Sequence, residues 1–94
     1  MQFGIFDQND HGPYSLTEQY ENRLQLIELY DRAGFRTYHM SEHHSTPLNL
    51  TPSPSVFLAA VAQRTKRLRL GALVMCCRRT IRCGLPKKSA CSII

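Results

Sequence analysis

The stretch Phe35–Val74 reads FRTYHMSEHHSTPLNLTPSPSVFLAAVAQRTKRLRLGALV, and it decides the fold. Phe35–Met40 is short and ends in alternating bulky residues, which reads as a strand. Ser41–Ser53 is a long loop containing proline. Ser53 is placed as a helix cap, with Pro54 in the first turn, where its missing N–H costs nothing. Pro54–Arg64 is rich in Ala, Val, Leu and Phe on most sides, so the spacing predicts a largely buried helix. A basic turn, Arg64–Arg67, leads to Leu68, Leu70, Leu73 and Val74, an apolar run suited to a buried parallel strand.

Upstream, the same alternation continues. Gln2–Phe6 reads as a first strand, in which Gly4 allows close backbone approach. Asp7–Tyr14 is a loop, with Asn9-Asp10 and Gly12-Pro13 as turn signals. Ser15 followed by Glu18 is a capping-box pattern. Leu16, Tyr20, Leu24, Ile27 and Tyr30 then recur at helical spacing, predicting a helix over Leu16–Ala33. Gly34 is placed to stop it. Strand, helix, strand, helix, strand is the order of an α/β fold with parallel strands and right-handed crossovers. Three strands alone leave sheet edges and apolar surface uncovered, so the unit looks like part of something larger.

The chain has 94 residues and a formal charge of +5, enough for one domain at most. Within residues 1–75, Arg23, Arg32, Arg36, Arg64, Lys66, Arg67 and Arg69 are balanced by the seven acids of the chain. The excess comes from Arg78, Arg79, Arg82, Lys87 and Lys88, in a segment with no acid and all four cysteines. Two compositions meet near Met75. No run approaches the roughly 20 apolar residues of a membrane span. The N-terminus lacks the basic and apolar regions of a secretory signal, so a cytoplasmic location is expected.

MQFGIFD at the start, the helix end DRAGF, the run SEHHSTPLNLTPSPSVFLAAVAQRT and RLRLGALV together resemble the luciferase-like monooxygenases. The resemblance covers residues 1–75. It implies an N-terminal β-α-β-α-β portion of a TIM (β/α)8 barrel, incomplete at this length against the ~250 residues usual for that fold. It further implies reduced FMN, oxygen and a small organic substrate, with a separate NAD(P)H-dependent flavin reductase as partner, and a family that is often dimeric. His43 matches the first histidine of the family's pair, to which acid–base catalysis is assigned. An imidazole suits that role because its ordinary pKa lies near neutrality. Glu42 is a second catalytic candidate, able to orient an imidazole, and His44 is a cofactor-binding candidate. Leu73 and Val74 match the segment that lies against the flavin, where several members have a non-prolyl cis peptide. In some relatives a deazaflavin and hydride transfer replace FMN and oxygenation.

Past Val74 the family pattern stops, yet it persists in the coding text. If one base is lost at the Val74–Met75 junction, restoring the frame allows YVLPPYHPLRLAEEICMLD, close to the usual family continuation. Residues 76–94 are therefore expected to be a frameshifted tail. Cys76, Cys77, Cys83 and Cys91 lack the paired spacing of a zinc site, and no metal is expected. A disulfide framework does not suit a reducing compartment. The tail's arginines and lysines suit weak adsorption to nucleic acid but no specific recognition. A non-enzymatic module with a basic nucleic-acid-binding tail is the alternative reading. His39 reads as a packed strand residue, His11 as exposed loop, and Arg64, Lys66, Arg67 and Arg69 as solvated or paired with nearby acids. The chain alone is expected to be inactive and aggregation-prone through its open edge.

Overall fold

The computed structural model describes residues 1–44 and 46–73. Expectations about Val74, the Leu73–Val74 bond and the tail lie outside the described residues. Five elements follow in order: β1 (Gly4–Asp7), α1 (Leu16–Ala33), β2 (Thr37–Met40), α2 (Pro54–Arg64) and β3 (Arg69–Ala72). The strands form one parallel sheet in the order β1-β2-β3. Their register aligns Asp7, Met40 and Ala72 at one edge of the sheet.

Helix α1 has the limits its sequence dictates. The Ser15 side chain accepts from the Glu18 backbone N–H, and the Glu18 carboxylate accepts from the Ser15 N–H at 3.0 Å, a closed capping box. At the other end Gly34 takes φ 89°, a left-handed conformation that glycine adopts without Cβ strain. The Gly34 N–H bonds to Asp31 O at 3.3 Å and the Phe35 N–H to Tyr30 O at 3.1 Å, the paired bonds of a Schellman end. The Phe35 and Tyr30 rings close it edge to face at 5.4 Å. This explains why β2 starts at Thr37 rather than Phe35: the Phe35 amide is already used by the helix.

Strand β1 is shifted from its expected limits, running to Asp7 instead of starting at Gln2. Pairing with β2 sets those limits, residue by residue from Gly4↔Thr37 to Asp7↔Met40. A Cβ on Gly4 would collide with Thr37 Oγ1, so glycine permits that approach.

The core lies on one face of the sheet. Tyr38, Met40, Leu68 and Leu70 pack there with Ile27 of α1 and Phe57, Leu58 and Val61 of α2. Tyr20, Leu24 and Tyr30 pack against this cluster as their spacing predicts. Leu16 does not: it is the first residue of α1, one turn before Tyr20, and is 58% exposed. Helix α2 is also less enclosed than its composition implies. Only Pro54, Phe57, Leu58 and Val61 are buried, and Val56 faces solvent. An alanine-rich helix tolerates burial without requiring it, and the described residues cover one stripe only.

Two polar clamps join the helices to the turns. The Asp31 carboxylate accepts backbone N–H groups from Lys66, Arg67 and Leu68 at 3.1, 3.0 and 2.7 Å, fixing the entry to β3. Arg64 pairs with Glu21 at 2.8 Å and Glu28 at 3.4 Å, joining α2 to α1 as expected for that arginine. The opposite face of the sheet carries Gly4, Phe6, Thr37, His39, Arg69 and Gly71, alternating with the core-facing residues. Phe6 is 55% exposed there.

Candidate active site at the carboxyl rim of the sheet

The strand ends place a group of polar side chains along one rim. Asp7 closes β1 and is buried. One of its carboxylate oxygens accepts from the Tyr38 hydroxyl at 2.5 Å. The other accepts from the Asn9 N–H at 2.9 Å and lies 3.2 Å from the Arg23 guanidinium. Burial, then the Asp7 carboxylate, push the Tyr38 phenol far above its ordinary pKa. Tyr38 therefore stays protonated and serves as a donor that locks β2 to β1.

Beyond Asp7 the chain turns through Asn9, which is fully buried and has φ 51°. Asparagine tolerates that conformation better than most residues. Its side-chain N–H donates to Thr51 Oγ1 at 2.8 Å, and its backbone O accepts from the Leu50 N–H at 3.2 Å. The loops after β1 and β2 are thus tied together. Tyr20 adds a hydroxyl bond to Leu50 O at 2.5 Å. Asn9 Oδ1 is buried without a partner among the described residues.

Ser41 follows β2, its N–H bonded to Asp7 O at 3.1 Å. Glu42, His43 and His44 come next, all half-buried. Glu42 Oε1 lies 2.5 Å from His44 Nε2, and the Glu42 side chain is only 6% exposed. The structure thus pairs two of the three residues singled out by sequence: the imidazole that Glu42 holds is that of His44. Leu73 follows β3 and is the last described residue, 55% exposed, with its N–H on Met40 O at 3.0 Å. Val74 lies outside the described residues.

His39 sits on the open face beside Gly71, where an added Cβ would meet the ring at 3.0 Å. His11 is exposed. An apolar groove of about 390 Å³ between α1 and α2, lined by Leu24, Val56, Phe57 and Ala60, lies on the helical side of the sheet. Sequence reasoning missed Asp7, Asn9, Tyr38, Ser41, Asn49 and Thr51. Their signal was available only in part: a carboxylate at a strand end and a turn asparagine are visible, but their partners lie 31 and 42 residues away.

Parallel strands with helices packed on one face are the arrangement of a (β/α) barrel wall. Residues 1–79 match the luciferase-like monooxygenase family, and the chain belongs to that family. A protein of Sinorhizobium fredii (strain NBRC 101917 / NGR234), uncharacterised and called y4wF, is 52% identical over 75 residues, covering 80% of this chain and 22% of its own. Limonene 1,2-monooxygenase of Rhodococcus erythropolis is 48% identical over 48 residues, covering 51% of this chain and 12% of its own. Among solved structures, the oxygenating constituent of 3,6-diketocamphane monooxygenase from Pseudomonas putida, in complex with FMN, superposes with a TM-score of 0.69 at 21% identity. That match covers 79% of this chain and 21% of the other. The chain thus spans about a fifth of the length of such relatives. Its five elements are the opening β-α-β-α-β part of their TIM barrel.

Proposed function

We propose that this chain carries the acid–base rim of an FMN-dependent monooxygenase acting on a small organic substrate. The observation that carries the reading is the Glu42–His44 pair, 2.5 Å apart, set with His43 at the carboxyl ends of parallel strands beside an uncovered sheet face. A reduced FMN held there would supply the two electrons that let one atom of O2 enter the substrate while the other leaves as water.

The residues present fit the ring part of such a cofactor. Phe6 and Leu73 offer apolar surface, and Glu42, His43 and His44 offer polar groups at its border. They do not fit the phosphate. Arg32, Arg36, Arg64, Lys66, Arg67 and Arg69 belong to the opposite, amino ends of the strands, and the Arg23 guanidinium is engaged by Asp7. A phosphate site would therefore come from elsewhere in a complete barrel.

In this reading His43 moves a proton at the reacting centre, and its half-buried position keeps it reachable. Glu42 accepts from His44 Nε2 and so fixes which ring nitrogen carries the proton. His44 binds the cofactor, and Leu73 with Val74 line the ring. Electrons come from a separate NAD(P)H-dependent flavin reductase, in keeping with a relative described as an oxygenating constituent.

The test is a chimera in which residues 1–73 of this chain replace the matching segment of the oxygenating constituent of 3,6-diketocamphane monooxygenase, the relative whose structure holds FMN. With reduced FMN supplied, His43→Ala should lower kcat by ~10²–10⁴, the usual worth of a general acid or base. An unchanged kcat would remove the catalytic role of His43.

A further inference from the structure

Ser41 and Asn49 are the two ends of a loop that leaves β2 and returns to it, with Glu42, His43 and His44 between them. One side-chain amide closes that loop. Asn49 Nδ2 donates to Ser41 O at 2.9 Å and lies 3.0 Å from Ser41 Oγ, while Asn49 Oδ1 accepts from the Thr51 N–H at 2.5 Å. Both residues are buried, Asn49 8% exposed and Ser41 6%. Their surroundings are equally fixed. Ser41 is held to β1 through Asp7 O, and Thr51 is held to the loop after β1 through Asn9.

We infer that Asn49 is a positioning residue for the acid–imidazole pair: it pins both ends of the loop that presents Glu42 to His44. This rests on the proposed function only in treating that pair as part of the site. The chemistry is selective. The position needs a donor toward Ser41 and an acceptor toward Thr51, and the asparagine amide supplies them from two atoms of one planar group. Aspartate keeps the acceptor and loses the donor. Alanine leaves the Ser41 carbonyl and the Thr51 amide buried without partners, which favours opening of the loop.

The readout is the two-bond ¹H–¹⁵N NMR spectrum of the histidine side chains in the full 94-residue chain, in mildly alkaline solution. A carboxylate acceptor fixes the proton on His44 Nε2. The wild-type chain should therefore show a single Nε2–H state for His44, against tautomer averaging for exposed His11. In Asn49→Asp, His44 should adopt the averaged pattern. Asp31→Asn, which loosens the fold at the far end of the strands, should leave His44 fixed. A His44 pattern unchanged in Asn49→Asp, or lost equally in Asp31→Asn, would overturn the inference. If Asn49→Asp fails to fold, Ser41→Ala, which removes the Oγ contact alone, is read instead: increased averaging supports the inference and none refutes it. No flavin is needed, so this test and that of the catalytic reading fail independently.

Discussion

The Asp7–Tyr38 bond shows how one residue can govern the edge of a site. The Asp7 carboxylate is buried and serves three groups at once: Tyr38, Arg23 and the Asn9 N–H. Removing the phenol oxygen leaves one carboxylate oxygen short of a partner in a dry place. Tyr38→Phe should therefore cost about 1–3 kcal/mol of stability, read as a lower midpoint in urea unfolding with an unchanged slope. An unaltered midpoint would mean that water takes over the bond. Glu42, His43 and His44 were singled out in sequence through the resemblance to luciferase-like monooxygenases, which the run SEHHSTPLNLTPSPS after a strand carries. The pairing within it was not. Which histidine Glu42 meets depends on how the loop is folded back by Asn49, and nothing in the order of the letters records that. Asp7 and Asn9 were hidden for the same reason, since their partners are distant in the chain.

At the scale of elements, the helices were legible and the strands less so. The limits of α1 and α2 match expectation because each is punctuated locally: Ser15 with Glu18, Gly34, and Pro54. Strand limits are set by partners, and so β1 and β2 each moved by one or two residues once pairing was seen. Gly34→Ala tests the punctuation. A Cβ at φ 89° is strained, and the loss should be about 1–2 kcal/mol, with no change in the loop after β2. Asp31 tests the joint between α1 and β3. Burial raises its carboxyl pKa, but the backbone N–H groups of Lys66, Arg67 and Leu68 and the Arg67 charge outweigh this and hold it below its ordinary value. The folded value is thus lower than the unfolded one, about 3.9. The stability this contributes is complete above the unfolded value and is lost as pH falls through the folded one. Thermal melts across the acid range should show wild type losing this increment, whereas Asp31→Asn lacks it at every pH. Parallel pH profiles for the two would contradict that role.

At the scale of the molecule, the decisive feature is an asymmetric sheet. One face is sealed by Tyr38, Met40, Leu70 and the two helices. The other exposes Phe6, with Leu73 at its rim. A face of that kind is the inner wall of a barrel. We propose that the 94-residue chain by itself binds reduced FMN weakly and without turnover, since the described residues enclose no ring and bring no free cation to the rim. Anaerobic titration with reduced FMN checks this, and tight one-to-one binding would refute it. The composition break near Met75 belongs to this scale too. Sequencing the DNA across Val74–Met75 should reveal a single-base deletion, with family-like text continuing in the restored frame. An intact frame without such text would refute the shift.

The most direct measurement is a crystal structure of the 3,6-diketocamphane monooxygenase chimera with FMN bound. The account predicts the flavin ring across the carboxyl ends of β1–β3, with Leu73 against it, His43 within hydrogen-bond reach of its reacting edge, and Glu42 still holding His44. A flavin bound away from this rim, or a His43 side chain turned to bulk solvent, would contradict it.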